Sequence, residues 1–273
     1  MEQVDGRLST LNRQADRVGE ATLRLMHGVW LYLRFVGETL ARGARLKWLA
    51  RPAVMHVLIR QVYFTGVQGL PWVLLMAATA GVAAVYSIAS FAHNLDDRSL
   101  IGVMVNHLLV REMAPLLVSV LLLARSGVAV AAEIGTMHVR GEDLLLRSLG
   151  VDVHEYLHFP RMFAFSLCGL ILTAMFVGVA IWVGGVALAA SHEMSFGQFL
   201  IEVRRGATLD EVLMMTLKGA GYPLLCCGML LFQSCRVGRN PNQIPVRATY
   251  GVLGSMMLMM LLDVLLVATG SLA

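Results

Sequence analysis

The stretch Arg111–Glu133, REMAPLLVSVLLLARSGVAVAAE, reads as a membrane span from Leu116 to Ala132, yet charge brackets and interrupts it. Arg111 and Glu112 stand at its start, Arg125 sits within it, and Glu133 closes it. A charged side chain near the bilayer centre costs about 2.5–3.5 kcal/mol on insertion scales, so such groups face protein or water rather than lipid. Lys218 and Asp263 repeat the pattern, each inside its own apolar run. A simple anchor gains nothing from charge placed there. The stretch therefore predicts a membrane protein with a polar interior, serving transport or membrane-embedded chemistry.

Working outward, four further runs approach the roughly 20 apolar residues that a span requires. They are Gln61–Ala92 and Met162–Ser191, which hold no charged residue, Val212–Cys235, broken by Lys218, and Ala248–Ala273, broken by Asp263. The chain is 57% hydrophobic and 15% charged over 273 residues, whereas soluble domains carry roughly a quarter charged residues. Uncharged runs of this length argue against a soluble helical core. The expected fold is all-α and integral to the membrane, with five transmembrane helices. Lys and Arg set the orientation, because cytoplasmic loops hold them in excess. Residues 1–60 and the loops after the second and fourth runs hold sixteen, and the opposite loops hold only Arg98, Arg204 and Arg205. The N-terminus is expected in the cytoplasm and the C-terminus, near Ala273, on the outside.

Two regions emerge. Residues 1–60 form a cytoplasmic tail and an amphipathic helix, and residues 61–273 form the membrane domain. Residues 1–20 are polar with both charge signs and lack the pattern of a cleavable signal. From Ala21 to Ala50, Met26, Val29, Trp30, Leu33, Val36 and Leu40 share one side of a helix, with Arg24, Arg34, Glu38, Arg42 and Arg45 opposite. A basic, Trp-bearing helix of this kind lies flat in the headgroup layer. Between Gly141 and Gly150, Glu142–Leu149 reads as a short cytoplasmic helix.

Other chemistry finds little support. His154 and His158 are spaced as two ligands on one helix face, but neither a Glu-containing zinc motif nor nearby cysteines accompany them, so they read as interfacial histidines. Cys168, Cys226, Cys227 and Cys235 all fall in apolar runs and read as small buried hydrophobes, with no metal expected. No G-x-S-x-G elbow surrounds Ser126, which leaves a lipid-modifying enzyme without a nucleophile. No phosphate-binding loop occurs, so the chain does not bind ATP in the P-loop manner. The net charge of +4 follows from the cytoplasmic basic residues and needs no nucleic acid. Arg111, Glu112, Lys218 and Asp263 can pair with one another structurally or line a cavity for a polar headgroup; both readings stand.

The run Ala124-Arg125-Ser126-Gly127 through Ala131-Ala132-Glu133-Ile134-Gly135-Thr136-Met137, with Pro160-Arg161 beyond, resembles the motif of the MlaE/YrbE permeases, membrane subunits of Mce-associated ABC-type lipid transporters. Arg111-Glu112-Met113-Ala114-Pro115 is similar to that family's Arg-Glu-Leu-Gly-Pro, and Lys218-Gly219, Arg247-Ala248-Thr249 and Leu262-Asp263 fall where the family carries similar residues. The chain departs from the family at Ala124, at Glu142-Asp143, at Asp152-Val153 and at Arg239-Asn240-Pro241-Asn242.

The resemblance covers about residues 55–270 and implies a homodimeric permease of the bacterial inner membrane that moves phospholipid. It implies an interfacial elbow helix, a separate ABC ATPase that binds the ATP, an Mce-domain partner outside the membrane and an accompanying STAS-domain subunit. No catalytic residue and no cofactor of its own are expected. Arg111 and Glu112 would meet the lipid headgroup. Arg125, Glu133, Lys218 and Asp263 would form an intramembrane charge network, and Glu142, Asp143 and Leu144 would couple to the ATPase. The competing reading is a proton-coupled secondary transporter of a hydrophobic or amphipathic substrate, with Asp263 and Lys218 as its relay.

Overall fold

The computed structural model describes residues 23, 26–44, 52–94, 99–191, 194–238 and 240–270. The polar tail, Arg24, Arg45 and Ala273 lie outside the described residues. Among the described residues the chain is all helical, and five helices are long and apolar enough to cross a membrane: Pro52–Ala92, Leu100–Val139, His154–Ala190, Leu209–Ser234 and Gln243–Thr269. The first three extend well beyond the apolar runs. Their polar ends are satisfied by protein: Gln61 donates to Thr65 Oγ1 at 2.8 Å, and Asn106 donates to the carbonyls of Gly102 and Val203 at 2.8 and 2.7 Å.

These long helices are not uniform. Tyr63–Val67, Val105–Met113, Leu123–Gly127 and His154–His158 wind as wide π-turns. Such a turn resets the hydrogen-bond ladder and rotates the side chains that follow, and it recurs at functional sites. Here the π-turns carry Arg111, Glu112, Arg125, His154 and His158.

The first span packs along the third. A Cβ at Gly81 would lie 2.5 Å from the carbonyl oxygen of Ala180, so the two backbones meet where only glycine fits. The third span packs on the fourth, which lies against the second and fifth. Val73, Ala77, Phe165, Phe176, Leu188 and Leu231 anchor the shared core. The fifth span is covered least and exposes Met257, Met260, Leu261, Val264 and Leu265.

The N-terminal helix, residues 26–43, buries Tyr32, Val36 and Thr39 against the bundle and leaves Met26, Val29, Trp30 and Leu33 exposed. The Tyr32 hydroxyl donates to the Leu225 carbonyl at 2.9 Å. Val36 therefore faces the bundle, away from the apolar stripe the sequence assigned it to. At the same end of the bundle, Glu142–Ser148 forms a short helix without a buried residue. Gly141 and Gly150 bound it in the left-handed region, at φ 73° and 74°, which favours glycine.

The opposite end holds a helix the sequence reading did not assign, Phe196–Gly206. Ser195 and Gln198 form a capping box at its start; Phe199 buries against Gly185 of the third span and Val203 against the second. A second capping box, Thr208 with Glu211, opens the fourth span.

Candidate functional site

Three helices converge on one buried ammonium. Lys218, only 1% exposed, forms ion pairs with Glu112 Oε2 of the second span and, at 2.8 Å, with Asp263 Oδ1 of the fifth. The Tyr222 hydroxyl, one turn along from Lys218, donates to the same Asp263 oxygen at 2.7 Å. An unpaired ammonium at this burial would be strongly unfavourable, and two carboxylates offset its desolvation. By the 1.5 Å helical rise, the cluster sits about 10–20 Å from the end of the bundle that carries Phe196–Gly206.

Arg111 adjoins the cluster without joining its core. Its Nη1 pairs with Asp210 at 2.7 Å, and its Nε lies 3.4 Å from Glu112 Oε1. Neither Arg111 Nε nor Glu112 Oε1 has a hydrogen-bond partner, although both are buried. The arrangement thus holds a donor and an acceptor with unused capacity beside a saturated ion pair.

Arg125 and Glu133 stand apart from Lys218 and Asp263. Arg125 donates to the Phe64 carbonyl at 2.9 Å and stacks over the Phe64 ring at 5.3 Å. Glu133 pairs with Arg161 at 2.9 Å. The four residues are therefore distributed over three sites. Of the short-helix residues, Asp143 holds His138 at 3.0 Å, Glu142 is partly exposed, and Leu144 is 63% exposed beside the equally open Leu145 and Leu149.

Asp210, Tyr222 and the pairing of Arg161 with Glu133 were not assigned from sequence. Tyr222 had a signal, since it lies four residues from Lys218 on one helix face. The other two join residues 99 and 28 positions apart, which no local pattern reveals.

His154 accepts or donates at Thr39 Oγ1, 3.0 Å away, and His158 Nε2 lies 3.6 Å from Cys235 Sγ. No group of three metal-ligating side chains occurs among the described residues. Cys168, Cys226 and Cys227 are buried, and Cys235 is partly so. Arg42 clamps Asp152 with two 2.8 Å hydrogen bonds, fixing the N-terminal helix to the bundle. Burial alone would raise the Asp152 carboxyl, but the His154 backbone N–H and Arg42 outweigh it and hold it below the ordinary aspartate value.

Against known proteins, a family model described as "Permease MlaE" matches residues 58–269. A Rickettsia bellii "Probable ABC transporter permease protein" is 29% identical over 67% of this chain and 68% of that protein. A Rickettsia typhi protein of the same description is 25% identical over 92% of this chain and 95% of its own length. The Haemophilus influenzae "Intermembrane phospholipid transport system permease protein MlaE" is 28% identical over 48% of this chain and 50% of its own length.

Proposed function

The chain belongs to the MlaE family of ABC-transporter permeases, and from that premise we propose that it carries phospholipid across or out of a bacterial inner membrane. It is a multi-pass membrane protein and a transport subunit. In this reading a separate ABC ATPase supplies the energy and a second copy of the chain completes the lipid path. An Mce-domain protein receives or delivers the lipid, and a STAS-domain subunit accompanies the ATPase. The N-terminal helix lies in the cytoplasmic headgroup layer on its exposed Met26, Val29, Trp30 and Leu33.

The observation that carries this reading is the short helix Glu142–Ser148. It projects from the bundle with acidic residues in its first turn, no buried residue, and Leu144, Leu145 and Leu149 uncovered. Exposed leucines beyond the membrane call for a protein partner. Closure of an ATPase pair pushing this helix would tilt the second and third spans, which flank it. Glu112 of the second span would then shift against Lys218 and Asp263, with Arg111 beside a headgroup and the lipid tails along apolar walls. Phospholipid as cargo is supported by the function in the name of the Haemophilus relative.

The test is reconstitution of the chain with its ATPase in proteoliposomes, following transfer of fluorescent phospholipid to an acceptor. Transfer should require ATP hydrolysis, and Leu144→Asp with Leu145→Asp should abolish both transfer and ATPase copurification. Transfer that proceeds without ATP and collapses with a protonophore would replace this reading with a proton-coupled carrier.

A further inference from the structure

A cleft of about 220 Å³ opens between the first and second spans, at the end of the bundle that carries the short helix. Its lining includes His56, Arg60, Gln61, Phe64, Glu133 and Arg161. It is separate from the Lys218 cluster, which lies toward the other end. Counting helical rise from the nearest helix terminus, Arg60, Glu133 and Arg161 all sit at a depth of about 10 Å.

The electrostatics of the cleft are unbalanced. Glu133 already pairs with Arg161 at 2.9 Å, and Arg60 is in no ion pair among the described residues. Arg161 is 5% exposed, and its Nε is buried with no hydrogen-bond partner, while its Nη1 donates to the Leu157 carbonyl at 3.0 Å. A buried guanidinium N–H without an acceptor is unfavourable unless something completes it. The cleft therefore offers the Arg60 guanidinium, in no ion pair among the described residues, and an imidazole, beside apolar Phe64, Val57, Ala129 and Val130, with the incompletely bonded Arg161 in its wall.

The level of the cleft indicates what it takes. The first span has 41 residues and is about 60 Å long, twice the roughly 30 Å hydrocarbon core. A group about 10 Å in from the end of such a helix lies near the boundary between headgroups and hydrocarbon. At that boundary the available anion is the phosphate of a glycerophospholipid, which guanidinium groups bind through paired hydrogen bonds.

We infer that this cleft is a phospholipid-headgroup site, with Arg60 and Arg161 holding the phosphate and Phe64 and Val57 flanking the glycerol. The net positive lining favours phosphatidylglycerol over phosphatidylcholine. The inference rests on the proposed lipid function only for the choice of ligand. Binding is read without ATP or transfer, so failure of either reading leaves the other intact.

The experiment is native mass spectrometry of the delipidated full chain titrated with phosphatidylglycerol, phosphatidylcholine or inorganic phosphate. Wild type should retain phosphatidylglycerol preferentially, and millimolar inorganic phosphate should not displace it. Arg60→Gln, at an exposed position, should weaken that binding about tenfold, the loss of one charge-assisted contact. Arg205→Gln removes the same charge at the opposite end and should leave binding unchanged. Equal binding by wild type and Arg60→Gln would overturn the site. Equal loss in Arg205→Gln would reduce the effect to general surface charge, and displacement by inorganic phosphate would assign the cleft to a soluble anion; each overturns the headgroup assignment.

Discussion

Lys218 brings three N–H donors to a place where its side chain is only 1% exposed, and its two carboxylate partners arrive from different spans. This geometry predicts unequal consequences for the members of the cluster. Lys218→Met leaves Glu112 and Asp263 facing one another with no cation between them, and removing one member of a buried pair costs about 3–5 kcal/mol. Asp263→Asn leaves Lys218 matched to Glu112 and keeps an acceptor for the Tyr222 hydroxyl, so its cost is about 1 kcal/mol, near that of a single hydrogen bond. Thermal unfolding of the purified chain in detergent should therefore place Lys218→Met well below Asp263→Asn. The reverse order would mean that Asp263, not Lys218, is the charge the fold depends on. The six intramembrane charges were legible in the sequence because each brackets or interrupts an apolar run. How they divide was not, since Lys218 meets Glu112 across 106 residues and Arg161 meets Glu133 across 28.

Between the residue and the bundle, the polar contacts that hold the N-terminal helix include one ion pair that titrates in an accessible range, the Arg42–Asp152 clamp. Asp152 has a folded value below the ordinary 3.8. A depressed carboxylate contributes its stabilisation above the unfolded value and loses it as the pH falls through the folded value. Amide exchange across residues 26–43, corrected for intrinsic rates, should stay slow at neutral pH and accelerate as the pH falls below 3.8. Asp152→Asn should speed exchange already at neutral pH and flatten the pH response; slow exchange in that variant would shift the attachment to Tyr32 and Val36. The effect is modest, because both side chains are 37% exposed and solvent screens them. Element existence followed hydropathy closely, and element ends did not. The first and second spans begin at Pro52 and Leu100 rather than Gln61 and Leu116, because Gln61 and Asn106 find protein partners that no hydropathy window records. The helix Phe196–Gly206 was legible in principle, from Ser195 three residues ahead of Gln198 and the apolar pair Phe199 and Val203, a capping box ahead of an amphipathic turn.

At the scale of the whole molecule, five crossings place the two ends of the bundle on opposite sides of the membrane, and charge decides which is which. Helix length alone is symmetric. The basic residues are not, with sixteen Lys and Arg in the regions on the short-helix side and three in the opposite loops. Retention of Lys and Arg on the cytoplasmic side then sets the whole chain. In the proposed orientation Glu142–Ser148 lies where an ATPase can reach it, and Phe196–Gly206 where an extracytoplasmic partner can. In the same orientation the Lys218 cluster falls in the outer half of the membrane and the Arg60 cleft in the inner half. Single cysteines at Glu142 and Gln198, in a chain whose four native cysteines are alanine, should report this directly. A membrane-impermeant maleimide applied to cells with a permeabilised outer membrane should label Gln198→Cys at once. It should label Glu142→Cys only after the inner membrane is opened. Labelling of both from outside would break the five-span topology, and the inverse pattern would turn the molecule over and with it the side on which ATP must act.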